Sequence, residues 1–231
     1  MKSTKKSLFS YILVIGLWFM GSCQKDMDEF QNTDRGNYAG LACFNGLSMS
    51  NSLNMKIDEK FYSSEIDDFP AGSYIPYRTI FPGVRTISLQ AKYANSFLFK
   101  GPMSFEANKL YSIFFYGANQ AKYLLSQDDL SFPKENECKI RIVNLIEEKG
   151  LKLSISNAVK TESQSLNVEV TDFKTEALGT LTFSTSLINE ELPELNFTLS
   201  PLNKGIYTIC LYVQTNPINQ QKTYKYEVIK Y

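Results

Sequence analysis

Asn108-Lys109-Leu110-Tyr111-Ser112-Ile113-Phe114 reappears late in the chain as Asn203-Lys204-Gly205-Ile206-Tyr207-Thr208-Ile209-Cys210, and Leu41-Ala42-Cys43-Phe44-Asn45 is echoed by Ile140-Arg141-Ile142-Val143-Asn144. The first echo places Tyr111 96 residues before Tyr207, and the second places Asn45 99 residues before Asn144. A spacing of about 100 residues is the length of one Ig-type β-sandwich. The chain therefore reads as two tandem modules.

Working outward from these echoes, the local pattern is that of strands. Ile87, Leu89 and Ala91 alternate with Ser88, Gln90 and Lys92; Leu151, Leu153 and Ile155 alternate with Lys152, Ser154 and Ser156; Leu181 and Phe183 alternate with Thr180, Thr182 and Ser184. Period two with one apolar face predicts half-buried antiparallel strands. Pro70-Ala71-Gly72, Phe81-Pro82-Gly83 and Asn203-Lys204-Gly205 supply turn chemistry, and no long stretch carries a helical stripe. The expected fold is all-β: two tandem Ig-like antiparallel β-sandwiches, at residues 37–126 and 138–231, joined by a short polar linker at 127–137 that holds the modules close.

The segment before the first module is of another kind. Lys2, Lys5 and Lys6 precede an apolar run from Leu8 to Met20, followed by Gly21-Ser22-Cys23 and the charged Lys25-Asp26-Met27-Asp28-Glu29. About 13 apolar residues are too few to cross a bilayer, where about 20 are needed, and basic residues before with small residues after are the anatomy of a signal peptide. Residues 1–22 read as that signal and Cys23 as the lipidated residue, with 23–36 a flexible polar tether. The signal is similar to the loose lipobox of Bacteroidetes lipoproteins, and the charged tract after Cys23 resembles their export tag. That resemblance implies a lipid anchor in the outer membrane, facing the cell exterior. Acyl chains contribute about 0.8 kcal/mol per buried methylene, so two or three would hold the protein without a transmembrane helix.

The 209 residues from Cys23 onward carry 21 basic and 24 acidic side chains. A slightly negative balance argues against a nucleic-acid partner. Histidine is absent from the chain, which excludes Ser-His-Asp and Cys-His arrangements. Asp67-Asp68, Asp128-Asp129, Glu147-Glu148 and Glu190-Glu191 are adjacent carboxylates. Neighbours on a strand point to opposite faces, so such a pair does not make a glycosidase couple. The spacing of Asp128, Asp129, Glu135 and Glu137 is not that of a calcium loop. The expectation is a non-enzyme with no cofactor and no metal.

Cys43, Cys138 and Cys210 follow Cys23, and an odd number cannot all pair within the chain. Cys43, between Ala42 and Phe44, reads as a small buried hydrophobe. Cys138 and Cys210 fall near an early and a late strand of the second module, where either a disulfide or two buried thiols would fit. Trp18, the only tryptophan, lies in the signal. Phe114-Phe115-Tyr116 and the alternating Tyr224, Tyr226 and Val228 read as core packing, the latter in an edge strand guarded by lysines.

Leu53-Asn54-Met55-Lys56-Ile57-Asp58, Ser73-Tyr74-Ile75-Pro76-Tyr77, Pro82-Gly83-Val84-Arg85-Thr86-Ile87-Ser88-Leu89 and Asn108-Lys109-Leu110-Tyr111-Ser112-Ile113 resemble strands and the proline-glycine turn of the domain of unknown function numbered 4397, frequent in Bacteroidetes lipoproteins as paired Ig-like modules. The resemblance covers roughly residues 38–145; the second module has no matching Pro-Gly turn before Leu178-Gly179-Thr180-Leu181. It implies no activity and no functional residue. Two roles follow as expectations: a noncatalytic surface lipoprotein that binds another protein or serves adhesion or structure, or a glycan-binding lipoprotein beside an outer-membrane uptake system.

Overall fold

Each alternating run becomes a strand whose apolar residues face a partner sheet. The computed structural model describes residues 37–49, 52–63, 69–92, 96–118, 120–148, 151–187 and 195–231. Residues 1–36, read above as signal peptide, Cys23 and tether, lie outside the described residues, as do Asp67-Asp68 and Glu190-Glu191. The fold is all-β, with no helix among the described residues.

In the first module, β1 (Ala39–Leu47), β4 (Tyr74–Ile80), β7 (Leu110–Gly117) and β8 (Lys122–Asp128) form one sheet in the order β4-β1-β7-β8. The strands β2 (Leu53–Ile57), β3 (Lys60–Phe61), β5 (Gly83–Ala91) and β6 (Phe97–Phe105) form the other, ordered β3-β2-β5-β6. The second module repeats this plan. One sheet is β12-β9-β16-β17, built from β9 (Glu137–Asn144), β12 (Glu169–Val170), β16 (Ile206–Thr215) and β17 (Lys222–Lys230), with β13 (Lys174–Ala177) also pairing β9. The other is β11-β10-β14-β15, from β10 (Leu151–Ser156), β11 (Thr161–Leu166), β14 (Leu181–Leu187) and β15 (Asn196–Leu199).

The echoes noted in sequence occupy equivalent places. Asn45 and Asn144 close the same turn: each side-chain oxygen accepts from a backbone N–H two residues on, Leu47 at 3.0 Å and Ile146 at 3.1 Å. Each amide donates to a distant carbonyl, Phe69 at 2.7 Å and Asn167 at 2.8 Å. Tyr111 and Tyr207 accept on their hydroxyls from the backbone N–H five residues upstream, Glu106 at 3.2 Å and Leu202 at 2.8 Å, the arrangement of a tyrosine corner. Asn108 and Lys204 take the left-handed conformation at the matching turns, φ 62° and 61°.

Three details differ from the expectation. β1 pairs in parallel with β7, and β9 with β16, because each chain crosses to the other sheet and returns before completing the pair; the remaining strand pairs are antiparallel. Asp128 belongs to the end of β8 and is buried, so the first module reaches into the interval 127–137 assigned to the linker. The third concerns burial, since β1, β7, β9 and β16 are buried on both faces.

Leu41, Cys43, Ile113 and Phe115 face the first module's core, with Leu53, Met55, Ile87 and Leu89 opposite. Cys138, Ile140, Ile142, Ile209 and Leu211 face the second core, with Leu151, Leu153, Leu181 and Phe183 opposite. A third cluster joins the two modules: Phe44 and Phe114 of the first against Val143, Leu145, Cys210, Tyr212 and Ile229 of the second. The β4-β1-β7-β8 and β12-β9-β16-β17 sheets are thus inner layers packed on each other, and the other two are outer layers. The modules lie side by side and point the same way. At one end the Thr215 N–H donates to the Ser48 carbonyl at 2.7 Å and Lys122 pairs with Glu147 at 2.6 Å. At the other, the chain enters β1 and passes from β8 to β9.

Candidate functional site

At the junction of the inner sheets, the register that places Ile140 and Ile142 in the second core turns Arg141 between them toward the first module. Arg141 is 2% exposed. Its Nε donates to Thr208 Oγ1 at 2.8 Å. Nη1 donates to Ser126 Oγ at 3.0 Å and to the Asp128 carboxylate, while Nη2 donates to Ser112 Oγ at 3.3 Å and Tyr231 Oη at 3.1 Å. Asp128 also accepts from Tyr77 Oη and from Ser112 Oγ, the latter at 2.5 Å. The guanidinium lies over the rings of Phe173 and Phe114, 4.5 and 5.4 Å from their centroids. Burial is the largest influence and opposes the Arg141 charge, but Asp128 together with Tyr231 and Tyr77 outweighs it and holds the arginine pKa above its ordinary value. Burial, then the Asp128 charge, pushes the Tyr77 phenol well above the usual tyrosine range.

This is the one place among the described residues where several tyrosines converge with an arginine and an aspartate. A guanidinium has five N–H donors, and five bonds engage it here. The site is closed and satisfied, so it joins modules rather than receiving a ligand.

Two surface features remain open. The first is a cleft of about 330 Å³ in the second module, between the β10-β11 side of the outer sheet and β13 of the inner one. Its floor is apolar, from Ile140, Ile142, Ile155, Leu181 and Phe183, and its rim polar, from Asn157, Lys160, Glu162, Gln164 and Glu176. Lys160 Nζ bridges Glu162 at 3.0 Å and Glu176 at 3.4 Å. The bond to Glu162 raises the lysine pKa, and the same bond lowers that of Glu162. The Asn157 side-chain oxygen fixes the rim by accepting from the N–H groups of Val159 and Lys160 at 2.8 and 2.9 Å. An apolar floor inside a polar rim, near the lower end of the size range of ligand pockets, suits an apolar group carried by a polar neighbour. Among the described residues no strand pairs with the outer edge of β11, beside this cleft.

The second feature is a shallow aromatic shelf where β6 meets β8 in the first module. Phe99 packs against Tyr123 at 5.1 Å in an edge-on contact, Lys100 Nζ lies 4.8 Å from the Phe97 ring centroid, and Gln120 and Lys122 flank them. The matching edge of the second module is closed by the stack of Phe183, Phe197 and Tyr226, with centroids 4.8 and 3.8 Å apart.

The adjacent carboxylates point apart. Asp128 is buried while Asp129 pairs with Lys139 at 3.1 Å, and Glu147 and Glu148 engage different lysines, Lys122 and Lys222. Cys43, Cys138 and Cys210 are free and buried. The disulfide considered between Cys138 and Cys210 is not formed, because Cys138 faces the second core and Cys210 the inter-module layer on the opposite side of the sheet. Burial raises all three thiols, Cys138 to about 11, which leaves them protonated and unreactive at neutral pH.

No family model and no curated protein matches the chain. Among solved structures it is similar to a family 26 carbohydrate-binding module of Amy13K from Eubacterium rectale, in complex with maltoheptaose, at 9% identity and TM-score 0.26 over 84% of this chain and 96% of that one. It is also similar to the tip fimbrial protein Mfa3 from Porphyromonas gingivalis, at 11% identity and TM-score 0.26 over 84% of this chain and 99% of that one. Likenesses this distant assign no role to the chain.

Proposed function

We propose that this chain is a noncatalytic surface lipoprotein, anchored through Cys23 in the outer membrane and facing outward, that binds another protein through the cleft beside β11. Membership of the domain-of-unknown-function 4397 family and a Bacteroidetes origin belong to this reading. The observation that carries it is the cleft: an apolar floor rimmed by fixed polar groups, next to a strand edge to which an extended segment can add its backbone while inserting apolar side chains. The test is a crosslinked pull-down of the tagged full-length protein from intact native cells, beside a Ser156→Trp variant that fills the cleft. Recovery of a surface protein by the native chain and its loss from a folded Ser156→Trp chain is the expected result. Equal recovery by both overturns the assignment of the cleft. Cys23→Ala is expected to release the protein from membranes or block its maturation.

The aromatic shelf favours a second reading, a glycan-binding lipoprotein accessory to an outer-membrane nutrient uptake system. Tyr123 and Phe97, 39% and 44% exposed, offer faces for sugar stacking beside Lys100 and Gln120. Under this reading the pull-down returns a transporter with other glycan-handling lipoproteins, and Tyr123→Ala abolishes retention on the immobilised oligosaccharide.

A further inference from the structure

Large apolar side chains left in solvent are unevenly placed on this molecule. Among the described residues, Tyr38, Phe81, Val84, Phe132, Val159 and Leu202 are 47%, 63%, 68%, 61%, 93% and 58% exposed. All six belong to one end. Tyr38 immediately precedes β1; Phe81 and Val84 flank the turn from β4 to β5, opposite the start of β1 in the register Ala39↔Ile80. Phe132 lies in the segment between β8 and β9, Val159 in the turn between β10 and β11, and Leu202 in the loop that leads into β16. The ion pair of Lys160 with Glu176, which sits opposite Cys138 in the register of β13 on β9, and the bond from the Lys204 N–H to the Glu137 carbonyl place these last two loops at the end where β9 begins. At the opposite end Ile218 is 92% exposed and Phe97, at the start of β6, 44%.

Four ion pairs also lie at the apolar end. Arg85 pairs with Asp58, Lys139 with Asp129, Lys160 with Glu162 and Lys204 with Glu135, at 3.0, 3.1, 3.0 and 2.7 Å. Scattered single apolar residues need no explanation, but six at one end mark a surface that meets an apolar phase.

The segment that leads into the first module points to that phase. Gly36, two residues before Tyr38, is joined to Cys23 by 13 peptide steps, which reach at most about 45 Å when fully extended. A lipid on Cys23 therefore confines this end near the bilayer and raises its effective concentration there. We infer that the end bearing Tyr38, Phe81, Val84, Phe132, Val159 and Leu202 is a membrane-docking base, whose loop tips enter the interfacial region of the lipid bilayer. The inference rests on the anchoring at Cys23 proposed above. The base sets the orientation: the β16-β17 turn and the aromatic shelf, at the end where Lys122 meets Glu147, point away from the membrane, while the cleft, whose rim residues Asn157 and Lys160 flank Val159, opens beside the membrane surface, so that its partner reaches it along the bilayer.

The mature chain has no tryptophan, because Trp18 lies in the signal, so an introduced indole reports alone. The acylated full-length protein is placed in phosphatidylethanolamine–phosphatidylglycerol vesicles carrying brominated acyl chains, as Phe81→Trp, Phe132→Trp or Ile218→Trp. Residues seated roughly 5–10 Å into the headgroup and acyl boundary should lose about half of their emission to the bromolipid. The expected result is quenching at positions 81 and 132 with none at 218. Protein that floats with the vesicles but shows no quenching at 81 and 132 keeps the anchor and overturns the docking base. A blue shift there without bromine quenching, growing with protein density, assigns the end to a second copy of the chain and likewise overturns it. Protein that does not float removes the anchor and the base together.

Discussion

Arg141 and Asp128 show how a single residue decides what a surface is for. An ion pair taken out of water is retained when hydrogen bonds satisfy both partners, and here Thr208, Ser126, Ser112, Tyr231 and Tyr77 do so. Asp128→Ala should destabilise the protein by about 3–5 kcal/mol, since it leaves a buried guanidinium unpaired. Replacing both, as Asp128→Leu with Arg141→Met, should recover most of that loss, and urea denaturation of the three chains measures it. Equal losses in the single and double variants would show that the pair itself is net stabilising. The pair was only half legible. Arg141 stands out in the apolar run Ile140-Arg141-Ile142-Val143, but Asp128 sits in the polar stretch from Ser126 to Glu137, which reads as linker because no alternation marks the last turn of β8.

Strands with one polar face were legible because alternation reports burial directly: Ile87 and Leu89 of β5 and Leu151 and Leu153 of β10 are all core residues, as the period predicts. The direction of pairing was not, since a parallel and an antiparallel neighbour bury the same alternating residues; hence the β1-β7 and β9-β16 pairs went unforeseen. The inner layers left a trace in Phe114-Phe115-Tyr116, where successive aromatics serve two different cores, Phe115 that of its own module and Phe114 the inter-module layer. The repeat was the strongest signal, and its tyrosines make a paired test. Tyr111→Phe and Tyr207→Phe each leave a backbone N–H without its acceptor and should cost about 0.5–1.5 kcal/mol, similar in the two modules. A loss confined to one of them, seen by thermal denaturation, would show that the repeat is not equivalent in energy.

On the scale of the whole molecule, the layer formed by Phe44, Phe114, Val143, Leu145, Cys210 and Tyr212 makes the second module part of the first one's environment. Calorimetry should therefore record one cooperative unfolding transition; two separated transitions would mean that the modules melt independently. Close approach matters here. A side chain at Gly46 would collide with Leu145 and lie 2.9 Å from the Phe115 carbonyl oxygen, and one at Gly72, whose φ is +83°, would meet the Tyr212 hydroxyl. Gly46→Ala and Gly72→Ala should thus lower the temperature of that single transition rather than split off a part of it. The side-by-side placement also has a mechanical side. The segment from Cys23 joins β1, which is hydrogen-bonded along its length to β4 on one flank and to β7 on the other. Under the proposed anchoring, tension between Cys23 and a partner held by the body would be applied along β1, loading both ladders in shear so that many bonds must yield together instead of unzipping one after another.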